Sequence, residues 1–286
     1  MIIRFWGVRG SAPSGNRGTA GVGGNTTCVE VRCGDELIIF DSGTGIRNLG
    51  MKLLGEMPIK GHIFYSHVHR DHIQGFPFFT PLYIPGNEFD IYGGTSLPTP
   101  IEEVLNQQMT PPCFPVKMDT LGAKINYHGI KPGNVIEGEN FKVTLAPLYH
   151  PNGSYGYRID YDGRSIVFAT DCEHREGKLC EGLSKLCENT DLLIYDAQYT
   201  EAEYYGKDGQ MPRIGWGHST WNEAVKMAEA AKVDRLILFH HDPSHNDDFV
   251  KKIEADAREV FPRSMAAFEG LEVDVSQPDL PPSMFD

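Results

Sequence analysis

The chain has 286 residues, of which 40% are apolar, so it can bury a substantial core in one large domain or two small ones. Its 26 basic and 39 acidic residues leave a net charge of −13, which disfavours large nucleic acids as partners. The six cysteines form no Cys-x-x-Cys pair, and no apolar stretch approaches the roughly 20 residues of a membrane span. Without a signal-peptide pattern either, we expect a soluble cytoplasmic protein with free thiols and no membrane contact.

Short apolar runs rich in β-branched and aromatic residues recur along the chain, each bounded by Gly, Pro, Asn or Asp. Such runs are typical of β-strands. In chain order, the predicted strands are residues 28–31, 37–40, 62–65, 141–145, 165–168, 192–195 and 236–239.

Two segments late in the chain have the apolar spacing of helices, residues 223–232 and 248–260. Thr220 and Glu223 match a capping box at the start of the first, and Asp247 is the expected cap of the second. Strands early in the chain and helices later favour an α/β layered sandwich over a β-barrel.

The chain shows no internal repeat and no interdomain linker. We therefore predict a single domain at residues 1–275, followed by a Pro-rich tail at residues 276–286. The least regular part is residues 76–138, which carries many prolines. It is interpreted either as a wall or lid beside a site or as an ordinary surface excursion.

Three histidines and an aspartate lie within six positions, directly after the predicted strand 62–65. They are His67, His69, Asp71 and His72. Imidazole and carboxylate ligands together suit zinc, manganese or iron. Polar groups that converge in a buried turn need compensation, which a cation supplies, so this cluster predicts a metal site.

Further metal-binding residue types follow later apolar runs: His150, Asp171 and His240, with His241 as a close rival to His240. Loops at the ends of strands are where α/β proteins place their ligands. Together with the first cluster they supply seven donors, which exceeds the four of a structural zinc site. The sequence therefore indicates two metal ions that share a bridging carboxylate.

These residues resemble the metallo-β-lactamase superfamily, and within it the ribonuclease Z and phosphodiesterase branch, over nearly the whole chain. The His-x-His-x-Asp-His motif of the superfamily is matched in full by residues 67–72. The resemblance implies a four-layer αββα sandwich. It also implies a hydrolase with two divalent metal ions, most simply Zn²⁺, with Mn²⁺ or iron in its place as the second choice.

The resemblance also assigns the ligands. One metal ion is held by His67, His69 and His150, the other by Asp71, His72 and His240, and Asp171 bridges the two. We prefer His240 to His241 because the family places its ligand directly after the strand. Asp71 is also counted among the catalytic residues. Asp41, before a Gly-x-Gly turn, matches a family aspartate that orients a ligand without binding metal.

Two further matches narrow the branch. Residues 196–199 resemble the acidic loop of ribonuclease Z, and residues 217–220 resemble its Gly-His-Ser-Thr motif. The resemblance makes Asp196 and His218 a pair in which the histidine protonates the leaving group. Ribonuclease Z usually has glutamate in place of Asp196. The structural alternative for His218 is a second capping or packing residue.

The N-terminal region resembles phosphodiesterase-like bacterial members of the same branch. Arg9, Asn25 and Thr26 are candidates for weak contacts with a substrate phosphate. The alternative is that these residues only form turns.

We predict that the protein hydrolyses a small phosphodiester, such as a cyclic nucleotide, through a metal-bridging hydroxide. A rival activity is tRNA 3′ processing, but the sequence lacks the basic, Gly-rich arm by which ribonuclease Z grips tRNA, and its charge is unfavourable. Hydrolysis of a lactone, thioester or β-lactam is a second rival activity, and a non-catalytic metal-bound sensor or interaction module is a rival of a different class. A homodimer is compatible with the sequence.

Overall fold

A computed structural model describes residues 1–175 and 178–286. Within these residues, fourteen strands form two seven-stranded sheets. The strands are β1 (Ile2–Gly7), β2 (Cys28–Cys33), β3 (Glu36–Phe40), β4 (Lys60–Phe64), β5 (Glu88–Gly94), β6 (Lys124–Ile130), β7 (Val135–Glu137), β8 (Phe141–Leu148), β9 (Ser154–Tyr161), β10 (Arg164–Ala169), β11 (Leu192–Asp196), β12 (Arg235–Phe239), β13 (Ser264–Ala266) and β14 (Glu272–Asp274).

The α-helices of the described chain lie on the outer faces of the sheets or in the loops between strands. They are α1 (Ile46–Leu53), α2 (Arg70–Ile73), α3 (Ile101–Gln108), α4 (Glu181–Cys187), α5 (Glu201–Tyr205), α6 (Trp221–Ala230) and α7 (Asp247–Val260). Among the described helices, none combines the length and apolarity needed to cross a membrane. The six cysteines are unpaired, as expected.

The order of strands brings the ends of both sheets to one edge of the molecule. The first sheet has the order β14-β1-β2-β3-β4-β5-β6, and β3 to β6 are parallel. The second has the order β13-β12-β11-β10-β9-β8-β7, and β10 to β13 are parallel. The carboxyl ends of parallel strands meet at a common edge, where α/β proteins place their ligands.

Aromatic side chains fill the space between the two sheets. Phe40 of β3 stacks on Phe168 of β10 with ring centroids 4.7 Å apart, and Phe168 in turn meets Phe239 of β12 edge-on. A second apolar layer joins the first sheet to α1 and α3, and a third joins the other sheet to α4, α6 and α7. The predicted four-layer αββα sandwich is therefore confirmed.

All seven predicted strands and both predicted helices are present, and their boundaries shift by up to three residues. Thr220 caps α6 by accepting a hydrogen bond from the Glu223 amide, but the Glu223 side chain pairs with Lys226, so the capping box is incomplete. The prediction that Asp247 caps α7 is wrong. Asn246 is the cap, and Asp247 accepts the Gly21 and Val22 amides instead.

Residues 76–138, whose role the sequence left open between a wall or lid and a surface excursion, contain regular elements of the fold. They contribute β5, β6 and β7 to the two sheets and α3 to the outer layer. In the tail, Met284 and Phe285 pack against the core between the sheets. The domain boundary at residue 275 stays a prediction.

The position of Phe168 between the sheets gives a test of this architecture. Phe168→Ala removes a fully buried ring that touches strands of both sheets, and it should lower the free energy of unfolding by about 3–5 kcal/mol. Phe78→Ala, at a phenylalanine that is 55% exposed, is the matched control and should cost less than about 1 kcal/mol. Urea unfolding with a chelator present measures both, and equal losses would contradict the assigned core.

Candidate metal centre

Three of the predicted site residues have left-handed backbone conformations just after strands. Asp41 follows β3 with φ 60°, Asp171 follows β10 with φ 52°, and His240 follows β12 with φ 64°. Positive φ is uncommon for residues other than glycine and costs about 1–3 kcal/mol each. Such strain concentrated at one edge of the sheets is typical of functional sites.

The loop after β4 brings its histidines and aspartate to the same edge. His67 and His72 are buried, and His69 is the residue before α2, whose single turn carries Asp71 and His72. The amide of Ser11 donates to the Asp71 carboxylate at 2.7 Å, which fixes the side chain.

The structure brings all seven predicted ligands together in two overlapping groups. Within each group, one donor atom per residue lies within 4.8 Å of every other. The first group consists of His67, His69, His150 and Asp171, and the second of Asp71, His72, Asp171 and His240. Asp171 belongs to both, as the predicted bridging carboxylate requires.

Hydrogen bonds at the outer nitrogens fix the tautomers of three of these imidazoles. Each ring donates from Nδ1 over 2.8–2.9 Å. His72 donates to the Asp41 carboxylate, His150 to the Gly217 carbonyl, and His240 to the Gln198 amide oxygen. A neutral ring protonated at Nδ1 carries its lone pair on Nε2. These Nε2 lone pairs therefore point into the cluster.

Among the described residues, no hydrogen-bond donor satisfies the inward Nε2 atoms of His72 and His240. Nε2 of His72 and Nε2 of His240 lie only 3.2 Å apart, and Nε2 of His150 lies 3.0 Å from Nδ1 of His69. Nε2 of His67 is buried without a hydrogen-bond partner, 3.5 Å from the Asp171 carboxylate. Lone pairs that face one another in a buried site require cations, so the residues fit the two predicted metal ions.

The charge balance of the cluster leads to the same conclusion. Burial lowers the pKa of His67, His69 and His150, which keeps them as neutral imidazoles, the form that binds metals. Burial also lowers the pKa of His72, but Asp171, Asp71 and Asp41 outweigh it and raise that pKa well above the usual value. The carboxylates therefore attract positive charge, which metal ions would supply in place of a proton.

Asp41 lies behind His72 and outside both groups of ligands. Its carboxylate accepts hydrogen bonds from the Ser66 amide and hydroxyl at 2.8 Å, in addition to the one from His72. All of its bonds therefore orient neighbouring residues of the loop after β4.

Asp196 and His218 form the predicted pair. His218 Nδ1 lies 2.9 Å from an Asp196 oxygen and 3.8 Å from the bridging residue Asp171. Burial lowers the pKa of His218, but the Asp196 carboxylate and the other acids outweigh burial and raise it to about 9. The shorter side chain of Asp196 thus still reaches the histidine. Nε2 of His218 has no hydrogen bond to the described residues and is left for another partner.

The structure distinguishes His240 from His241. His241 Nε2 lies 2.9 Å from the Ala267 carbonyl, away from the cluster, and burial together with Arg9 lowers the pKa of His241 to about 3. Only His240 belongs to the cluster.

Arg9, Asn25 and Thr26 do not line the site as substrate contacts. Arg9 is fully buried and donates to the carbonyls of Gly23, Asp242 and His245, so its predicted phosphate contact is corrected to a structural role. Asn25 binds the Glu269 carboxylate through its backbone and its side chain. The Thr26 hydroxyl accepts from Thr44 and Gln74. These contacts support the alternative in which the three residues only form turns.

Apart from Asp41, sequence reasoning did not identify the residues that hold the ligands from outside. Gln198 and Gly217 lie inside the two motifs that indicated Asp196 and His218, and this proximity was the available signal. Gly217 has φ 92°, and a Cβ there would lie 2.1 Å from His150 Nδ1, so only glycine fits beside the ring. Glu173, whose carboxylate accepts the Gly217 amide at 3.0 Å, carries no comparable signal.

Comparison with known proteins agrees with this geometry. Residues 37–241 match the family described as Beta-lactamase superfamily domain. A Ribonuclease Z of Methanothermobacter thermautotrophicus is 29% identical, over 99% of both chains. The metallo-beta-lactamase fold protein YhfI from Bacillus subtilis is 20% identical with a TM-score of 0.68, over 95% of this chain and 98% of that one. A diphosphatase from the PhnP family is 20% identical with a TM-score of 0.67, over 96% and 97%.

The matched region runs from β3 to His241 and contains every residue of the two ligand groups. The chain therefore belongs to the metallo-β-lactamase superfamily, in its ribonuclease Z-like branch, and carries the buried histidine and aspartate cluster of a metal-dependent hydrolase.

Proposed function

We propose that the protein is a phosphodiesterase that hydrolyses a small-molecule phosphodiester. The observation that carries the proposal is the Asp196–His218 pair beside Asp171. A sugar alkoxide is a poor leaving group that needs a proton, and a protonated histidine held by a carboxylate is suited to donate one. Hydrolysis of a carbonyl substrate such as a lactone depends less on a proton donor of this kind.

Each side chain of the site has a distinct role in this reaction. Two metal ions bound by the cluster would supply an activated water and positive charge against the phosphoryl oxygens. His67, His69 and His150 would hold one ion, Asp71, His72 and His240 the other, and Asp171 both. His218 donates its proton through Nε2 to the departing oxygen, while Asp196 keeps the ring oriented.

The second candidate function is tRNA 3′ processing, which the likeness to Ribonuclease Z over nearly the whole of both chains favours. Two observations weigh against it. The net charge is −13, and all strands of the described residues belong to the two sheets, so they form no separate protruding arm. A turnover screen of the metal-loaded protein decides between them, with bis-p-nitrophenyl phosphate, a nucleotide diester, a lactone and a precursor tRNA as substrates. Fastest turnover of the precursor tRNA or the lactone would overturn the proposal.

We predict that the protein binds two transition-metal ions per chain. Asp171→Ala should remove at least one ion and nearly all activity, because this carboxylate belongs to both ligand groups. His241→Ala is the control, since His241 is buried just beside the cluster without belonging to it. Elemental analysis after growth in metal-replete medium without chelators measures the stoichiometry, and a value near zero for the wild type would refute the assignment.

Asp41→Asn should weaken metal retention without abolishing it. The substitution removes the negative charge that holds the Nδ1 proton of His72, and loss of such a partner typically lowers metal affinity by about 10–100-fold. Asp90→Asn changes a carboxylate that pairs with His128, outside the cluster, and should leave affinity unchanged. Competition with a chromogenic chelator gives both affinities. Wild-type affinity in Asp41→Asn would show that the carboxylate does not tune the ligand.

The role of His218 is tested by the choice of leaving group. His218→Ala should lower kcat/KM by about 10²–10⁴-fold for a nucleotide diester that releases a sugar hydroxyl. The loss should be small for bis-p-nitrophenyl phosphate, because p-nitrophenolate departs without a proton. Metal content is measured in both proteins. Equal losses on the two substrates would mean that His218 supports the metal centre or the start of α6.

A further inference from the structure

Two cavities of similar size open beside the metal centre, on opposite sides of one loop. The first, of about 530 Å³, reaches the ligand His150, and we call it the aromatic cavity. The second, of about 540 Å³, reaches the proposed acid His218, and we call it the His218 cavity. Both have the size of small-molecule sites.

The loop at residues 210–217 is the wall between the cavities. Ile214 and Gly215 line the aromatic cavity, whereas Met211, Arg213 and Trp216 line the His218 cavity. Ile214 is 58% exposed and Trp216 is 51% exposed. Large apolar side chains left exposed at the mouth of a cavity are typical of ligand contacts.

The wall is held in place by buried and half-buried polar groups. The Glu173 carboxylate accepts the amides of Gly215 and Gly217 at 2.6 and 3.0 Å, and also the Tyr204 hydroxyl at 2.7 Å. Arg213 reaches the Asp242 carboxylate at 3.3 Å on the other side. The two cavities are therefore preformed.

The aromatic cavity has the lining that a planar group requires. Tyr149, His174, Tyr204 and Tyr205 contribute rings, and the Arg175 guanidinium lies 3.8 Å from the centre of the Tyr149 ring. Aromatic faces bind nucleobases by stacking, without regard to which base is present. A guanidinium at the rim adds positive charge that favours an anionic ester.

From this arrangement, and resting on the proposed phosphodiesterase activity, we propose that the substrate is a linear phosphodiester with two separate organic groups. A planar aromatic group, such as a nucleobase, occupies the aromatic cavity and stays on the phosphate. The other group occupies the His218 cavity and leaves. In a cyclic nucleotide both ester oxygens belong to one sugar, so its two ester bonds cannot extend to opposite sides of the wall.

The assignment of the leaving group follows from the position of the proton donor. Hydrolysis forms a bond from a water oxygen to phosphorus and breaks the bond from phosphorus to one ester oxygen. The water releases one proton to the solvent and the departing oxygen gains one from His218, which regains a proton from the solvent before the next turnover. His218 lines only the second of the two cavities, so the group in that cavity departs as the alcohol.

The retained group is tested with two esters that share p-nitrophenolate as leaving group. They are thymidine 5′-(p-nitrophenyl phosphate), which keeps a nucleoside, and methyl p-nitrophenyl phosphate, which keeps a methyl group. Wild type should prefer the nucleoside ester by roughly tenfold or more in kcat/KM. Ile214→Ala should lower the ratio of kcat/KM for the nucleoside ester to kcat/KM for the methyl ester several-fold. Trp216→Ala, on the other side of the wall, and Met51→Ala, at an exposed position on α1, should both keep the wild-type ratio.

The two-sided arrangement is tested with thymidylyl-thymidine and thymidine 3′,5′-cyclic phosphate. The linear diester should have the higher kcat/KM. The assignment of the two ester groups to the two cavities would be overturned by any of three results. These are faster hydrolysis of the cyclic substrate, equal rates on the two p-nitrophenyl esters, or an unchanged ratio in Ile214→Ala. The protein would still be a phosphodiesterase in each case. If the metal-loaded protein hydrolyses none of the four diesters, the proposed function itself fails, and the assignment of the cavities fails with it.

Discussion

The convergence of imidazole lone pairs on the Asp171 carboxylate is the constraint on which the rest of the structure depends. Nε2 of His72 and Nε2 of His240 approach to 3.2 Å, and Nδ1 of each ring is already bonded outward. Such an arrangement is unstable in a buried site without cations. The fold must therefore bring strand ends from both sheets to one edge and hold three residues there in left-handed backbone conformations. The aromatic contacts between the sheets, with Phe40 on Phe168, keep those ends in register.

The outward bonds of the ligands connect the metal centre to the surrounding loops. Asp41 after β3, Gln198 after β11 and Gly217 before α6 each fix one histidine tautomer. Each partner lies in a different connection between elements, so the orientation of the ligands depends on the whole edge of the sandwich. Asp196 ends β11 two residues before Gln198, and His218 directly follows Gly217, which places the proton donor within the network that orients the ligands.

Much of the fold and most of the metal centre could be predicted from the sequence, because both depend on local signals. The strands that were predicted are apolar on both faces, such as β3, β11 and β12. Site residues lie at their ends, since Asp41 follows β3, Asp196 ends β11 and His240 follows β12. Several of the strands that were missed, such as β6, β13 and β14, are short or half-buried, and their pairing supplies their stability. Arg9 was misassigned because a glycine-rich turn looks the same whether it binds a phosphate or three carbonyl groups. Glu173 could not be found, since its partners lie 31 to 44 positions away in the sequence.

The glycine at position 217 links substrate selection to the integrity of the metal centre. Its carbonyl holds the His150 ring, and no side chain fits there, while the residues just before it line the two cavities. Residues 211, 214 and 216 can therefore be substituted to change the substrate, whereas residue 217 has to remain glycine. A loop transferred from a relative should therefore end before Gly217. The substrate specificity can then change while the position of His150 stays the same.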